Sequence, residues 1–282
     1  MKREQVGAIT LHFNEQDQES ALLVMRAAGE TEELLRSRWS LEFPPDCHLL
    51  VMTSWFQFMF TASPMLWRIP LALTLPLWVG RVASTWKVAG GWTNRFGRRV
   101  AIGVKPPALL ETADRRIGKR IFVEQDDPRE KVRQITCHEL THAATSRLRL
   151  PLWLNEGLAG RAVDHFSGHS TIRIETLATL TDPERNPRPL GYRQLRTRDR
   201  DMVVYQFSRG YWLTRWLDEI DPDALLRLLS TRLPASDIED MLAETLGLDR
   251  SNLWPAIDRA LYKRYARSDD DRAGQTQVDH GQ

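Results

Sequence analysis

Cysteine is scarce. Cys47 and Cys137 are the only two in 282 residues, too few for a disulfide framework. Cys137 directly precedes His138 and so points to another helix face; it reads as a small core residue rather than a ligand or nucleophile. Charge of one sign is lacking too. With 39 basic and 37 acidic residues the formal net charge is +2, so there is no global nucleic-acid signature and no nucleic-acid partner is expected. Six arginines between Arg185 and Arg200 form a local excess, which reads as a solvated loop face. The opening residues Met1-Lys2-Arg3-Glu4-Gln5-Val6 have none of the apolar core of a signal peptide, and a cytoplasmic setting is expected. No internal repeat is seen. Apolar residues make up 42% of the chain, enough to bury a substantial core as one large domain or as two lobes sharing a cleft.

One segment has almost no charge. Leu49 to Trp67 is nineteen residues without any, followed by Arg68 and twelve more uncharged residues from Ile69 to Gly80. Its length suggests a membrane segment. Pro64, Pro70 and Pro76, the interrupting Arg68, and polar Thr53, Ser54, Gln57, Thr61 and Ser63 argue against a simple span. Five of the ten tryptophans fall between Trp55 and Trp92, and such rings favour either cores or bilayer interfaces. Buried core or cleft wall is the first reading of 49–80, and peripheral membrane contact the second.

Periodicity divides the rest. Gly7 to Phe13 reads as a strand, Ser20 to Trp39 as a helix, and His48 to Thr53 as a strand. Turn residues around Gly90-Gly91-Trp92 and Asn94-Arg95-Phe96-Gly97 flank a short strand, and Arg99 to Val104 alternates as another. Together they read as a hairpin whose outer strand could lie along a cleft and pair with an extended peptide. Asp127-Pro128-Arg129-Glu130 is a helix start, with Asp as cap and Pro in the first turn. That helix runs to about Arg147. Pro151 breaks the chain, and Asn155 reads as the cap of a second helix through Asp164. Thr171 to Ile174 reads as a short strand or connector. Four helices follow, over Met202–Glu219, Asp221–Ser230, Ser236–Leu246 and Ser251 to about Arg267. Residues 268–282 are polar and aperiodic and read as a disordered tail.

Within the first of those capped helices stands His138-Glu139-Leu140-Thr141-His142. Histidines four apart project from one helix face, so both imidazoles can reach a single metal ion, with Glu139 beside its open position. Catalytic zinc needs a third protein ligand. Glu156, fourteen residues beyond His142, arrives on the following helix. Two neutral imidazoles and one carboxylate leave zinc a net positive charge, which acidifies a bound water; Glu139 then accepts that water's proton and delivers it to the leaving amine.

These residues resemble the gluzincin branch of zinc metallopeptidases, and most closely its small bacterial peptidase MA-like members. The matching stretches are Cys137-His138-Glu139-Leu140-Thr141-His142-Ala143 and Leu150-Pro151-Leu152-Trp153-Leu154-Asn155-Glu156-Gly157-Leu158-Ala159. Val204-Tyr205-Gln206-Phe207-Ser208 is similar to that family's helical tyrosine segment. The resemblance covers about Arg129 to Trp216. It implies zinc held by His138, His142 and Glu156, with Glu139 as catalytic base, and a thermolysin-like upper sheet over a lower helical lobe. Tyr205 is the first choice for the oxyanion donor, with Tyr211, His165 and His169 as rivals. Asp164, or Asp201 instead, would orient a ligating histidine. The aspartate that thermolysin-like enzymes carry nearer the ligand glutamate is replaced here by Gly160.

The expectation is therefore an α+β, zincin-like fold. Residues 1–125 form a sheet lobe with small mixed or antiparallel strands, and 126–267 a helical lobe carrying the histidine motif. The expected function is hydrolysis of peptide or protein substrates with Zn2+ as cofactor. The alternative is a membrane-surface or partner-binding protein whose zinc site is mainly structural, with membrane association through 49–80.

Overall fold

The computed structural model describes all residues except 112–116, 183–187, 193, 196–198, 231–232 and 277–282. The chain is α+β, with one five-stranded sheet among the described residues. It divides into two compact units: 1–119, 123–149 and 162–171 form the first, and 120–122, 150–161 and 172–282 the second.

The first unit opens with β1 (Lys2–Val6) and β2 (Ile9–Phe13), an antiparallel hairpin turning at Gly7, whose φ of 54° suits glycine. Then come α1 (Gln18–Trp39), β3 (Cys47–Val51), α2 (Trp55–Ala62), α3 (Met65–Leu73) and α4 (Leu75–Val88). The hairpin β4 (Gly91–Phe96) and β5 (Arg99–Val104) turns at Gly97, φ 65°, and is followed by the short α5 (Pro107–Glu111) and α6 (Gly118–Ile121) and by α7 (Pro128–Thr145). Strand order is β1-β2-β3-β5-β4. β2, β3 and β5 run parallel at the centre, while β1 and β4 are antiparallel edges.

Strand alternation gives this sheet two different faces. Ile9, Leu11, Cys47, Leu49, Val51, Val100, Ile102 and Val104 point to one side, where Ala21, Val24 and Ala28 of α1 and Val132, Leu140 and Ala143 of α7 close over them. Leu50, Met52 and Ala101 point to the other side, under Phe58, Met59 and Ala62 of α2 and Val82 of α4. The charge-poor segment 49–80 is thus divided: α2 supplies core, whereas no residue of α3 is buried. Its prolines mark helix boundaries more than breaks. Pro64 is the cap position of α3 and Pro76 lies in the first turn of α4, while Pro70 sits inside α3. Among the described residues no helix is long and apolar enough to cross a membrane.

The helix α8 (Leu152–Ser167) is counted with the second unit up to Arg161 and with the first from Ala162. The second unit continues with a 3-10 helix (Ile174–Thr181), α9 (Arg200–Ile220), α10 (Pro222–Ser230), α11 (Ala235–Leu246) and α12 (Leu253–Thr276). Its interior includes Trp153, Leu158, Trp212, Leu213, Leu225, Ile257 and Leu261. Thr171–Ile174 is no strand; it contributes one isolated antiparallel bridge, Ile172 to Phe122.

Three sequence expectations shift. The motif helix α7 belongs with the sheet unit rather than with a helical lobe beginning at 126, because its apolar face completes the sheet's core. β1 went unread, since its residues are exposed or half-exposed and show no alternation of polarity. The expected tail begins inside α12, and its last residues, 277–282, lie outside the described residues. So do Arg185, Arg193, Arg196 and Arg198 of the arginine-rich loop.

Candidate metal centre

The start of α7 is fixed as its sequence requires: the Asp127 carboxylate accepts from Arg129 N at 2.8 Å, with Pro128 in the first turn. Its buried face is unusually rich in threonine. Thr136, Thr141 and Thr145 donate their hydroxyls to the carbonyls of Val132, Cys137 and Thr141, four residues back, at 2.7 to 2.9 Å. Each hydroxyl is thereby satisfied inside the helix and can be buried at little cost. On the half-buried face, His138 and His142 bring their Nε2 atoms to 3.1 Å, with ring planes at 89°.

Glu156 stands on α8. That helix begins at Leu152, with Leu154 N and Asn155 N donating to Pro151 O, so Asn155 is not its cap and Glu156 lies one turn deeper than expected. Two glycines set the position of this turn. A Cβ on Gly157 would come within 2.2 Å of Gly210 O and of Thr214 Oγ1, and one on Gly210 within 2.4 Å of Trp153 O. Only glycine allows α8 and α9 to approach so closely. The Glu156 carboxylate is buried and its Oε1 accepts the hydroxyl of Tyr192 at 2.5 Å. Asn155 Nδ2 donates to the same hydroxyl at 2.6 Å. One ligand atom each from His138, His142 and Glu156 lie within 4.8 Å of one another.

Glu139 is 9% exposed and held from β4. Thr93 Oγ1 lies 2.6 Å from Glu139 Oε2 and 3.1 Å from the Glu139 carbonyl, donating its single proton to one or the other. The strand lies close because Gly91 has no side chain: a Cβ there would come within 2.5 Å of Glu139 Cγ and 2.8 Å of Ile135 Cγ2. The expected hairpin is present with β4 as its outer, edge strand, and it is this strand that positions Glu139.

Tyr205 lies in the interior of the second unit. Its side chain is 1% exposed, its hydroxyl donates to Asp258 Oδ2 at 2.6 Å, and the same hydroxyl oxygen accepts from Arg209 Nη1 at 3.0 Å. A hydroxyl whose one proton is given to a buried carboxylate has none left for a substrate oxygen. Asp258 itself is pushed up to about 6 by burial, against the opposing pull of Arg209 and the Tyr205 hydrogen bond. Tyr211 is also buried, edge-on to Trp212. The Tyr211 ring lies 3.0 Å from where a Gly160 side chain would begin, so an aspartate at that position would have to displace the ring. His165 packs edge-on against Trp39, and His169 is exposed, with Nδ1 near Ser170 O. Asp164 Oδ1 accepts from Thr171 N and Thr171 Oγ1, and Asp201 pairs with Arg120 at 2.7 Å. The tyrosine on the ligand set is Tyr192, which sequence reasoning missed. It lies in an irregular stretch with no periodicity to single it out.

The donor set suits zinc. A neutral imidazole carries one N–H, so two facing Nε2 atoms either share a single proton or direct both lone pairs at one cation. A tetrahedral ion about 2.05 Å from each ligand would separate neighbouring ligand atoms by about 3.3 Å, close to the 3.1 Å between the imidazoles. Two nitrogens and one carboxylate oxygen are ligand types that zinc takes. Comparison with protein-family models and with curated proteins finds no match to this sequence.

Proposed function

We propose that this chain is a zinc-dependent metallopeptidase of the gluzincin type, with a zincin-like arrangement of sheet and helices. The observation that carries this reading is the grouping of His138, His142 and Glu156 within 4.8 Å, with Glu139 next to the first histidine on α7. These three residues would hold the ion. Zinc bound there supplies Lewis acidity, polarising a carbonyl and lowering the pKa of water.

The chain's own residues supply the rest. Glu139 is the base that takes a proton from the attacking water and returns it to the leaving nitrogen. Thr93 fixes the Glu139 carboxylate so that one oxygen stays aimed while the other works. Tyr192 holds Glu156 in one orientation, and an aligned carboxylate binds a cation better than a mobile one. The free edge of β4 offers backbone donors and acceptors to an extended chain beside the base, which favours a peptide substrate.

A proteome-derived peptide-library digest tests the proposal. Wild type is expected to cleave, and Glu139→Gln to lose cleavage by more than about a thousandfold, as loss of a general base predicts, while keeping its zinc. Cleavage by Glu139→Gln at the wild-type rate would remove Glu139 as the base.

A further inference from the structure

The second face of the sheet ends in a cavity of about 120 Å3 lined by Arg3, His12, His48, Arg68 and Arg99, with Thr61 at its wall. Register explains the convergence: Arg3 pairs with His12 across the antiparallel β1–β2 ladder, and His48 and Arg99 have the same parity on β3 and at the start of β5. Arg68 is contributed by α3. One carboxylate is near, that of Asp46, and it is already engaged by Arg99 Nε at 3.1 Å and His48 Nε2 at 2.6 Å. That bond places a proton on His48 Nε2, leaving His48 Nδ1 to accept from His12 Nε2 at 2.8 Å. His12 is 6% exposed, and its Nδ1 is buried with no hydrogen-bond partner. With His12 Nε2 donating, its Nδ1 carries only a lone pair, so the donors that an anion would meet in this space are the three arginines.

Beside the cavity lies the most exposed apolar surface of the first unit. Met65, Leu66, Ile69 and Leu73 of α3 and Leu77 of α4 are 69 to 88% exposed, and Trp67 is half-exposed. Single exposed apolar residues are ordinary, but a run of this density is not. At nine residues α3 is about 13 Å long, far short of a bilayer's core, so it can lie in an interface but not span one. Arg68 belongs to both features: it stands between Trp67 and Ile69 on α3 and lines the cavity.

We infer that this face docks on an anionic phospholipid surface, α3 lying in the bilayer interface while the Arg3–Arg68–Arg99 cavity takes the phosphate of one headgroup. Charge complementarity selects the occupant, since a cationic pocket sharing Arg68 with a helix of exposed apolar side chains matches an anionic headgroup above acyl chains. Burial, aided by the charges of Arg3 and Arg99, holds His12 down to about 4; the same guanidinium charges favour an anion.

Flotation of the full chain with vesicles of phosphatidylcholine alone, or mixed with phosphatidylglycerol, tests this independently of any hydrolysis. Wild type is expected to float with the anionic vesicles at least about tenfold more than with the neutral ones. The Arg3→Gln/Arg68→Gln protein should fall to the neutral level and Leu66→Glu should lose flotation. These three positions are exposed, so circular dichroism and melting temperature should match wild type. Equal flotation on both vesicles, or anionic flotation unchanged in the arginine variant, overturns the headgroup site. No flotation of wild type overturns membrane docking. If inorganic phosphate raises the melting temperature of wild type but not of the arginine variant and no vesicle floats, the cavity serves a soluble phosphate and the lipid assignment is wrong.

Discussion

The two faces of the five-stranded sheet are made by alternate residues of the same strands, yet they present opposite surfaces. Under α1 and α7 the contact is apolar and closed, and Gly91 lets β4 come within contact of Glu139. Under α2 to α4 the apolar contact stops partway, leaving a cationic cavity and an exposed helix. The difference teaches how one sheet can separate rigidity from contact. On the closed face Thr93 holds the Glu139 carboxylate against β4; on the open face the proposed docking would leave that contact untouched.

The sharpest way to break this contrast is by truncation. Leu49→Ala on the closed face (Leu49 is 1% exposed) should cost about 2–5 kcal/mol in urea unfolding, whereas Leu66→Ala on α3, 88% exposed, should lie within about 0.5 kcal/mol of wild type. Similar losses at both positions would mean that α3 is covered in solution.

A smaller effect is expected from Thr93→Val, which keeps the shape of β4 and removes the hydroxyl that orients Glu139. Turnover of a cleaved peptide should fall about 10–100-fold with zinc content unchanged. An unaltered rate would show that Glu139 needs no support from β4.

The smallest concerns pH. His12 has a folded pKa of about 4 against 6.5 for the free group, so the unfolded chain binds its proton more readily. The associated stability is fully present above pH 6.5 and is lost as pH falls from 6.5 through 4. The loss should be about 1–2 kcal/mol, less than the full shift because exposed Arg3 is screened by solvent. His12→Gln should flatten the pH dependence of urea unfolding in that window, and an unchanged slope would contradict the burial of a neutral His12.

What the sequence made legible was local. Asp127-Pro128 specified the start of α7, and the four-residue spacing put His138 and His142 on one face. Alternation placed β2, β3 and β5 to within two residues. What was hidden depended on long-range contact. The prolines of 64–76 argued against a simple span without marking where helices start, because helix boundaries and helix breaks share one residue type. Tyr205 looked suitable because its segment resembles the family's helical tyrosine segment, yet its hydroxyl donates to Asp258, 53 positions away. The cationic cavity draws Arg3, His12, His48, Arg68 and Arg99 from five separate elements. Only strand register brings the first, second, third and fifth together, and register is not written in any one strand.

The proposed function stands on His138, His142 and Glu156 together holding one zinc ion. Zinc per chain, measured by mass spectrometry after exhaustive dialysis of wild type, Glu139→Gln and Glu156→Gln, tests it most directly. About one zinc in the first two proteins and little or none in Glu156→Gln is predicted, since removing a charged third ligand leaves an incomplete set. Full zinc in Glu156→Gln, or none in wild type refolded with zinc, would contradict it.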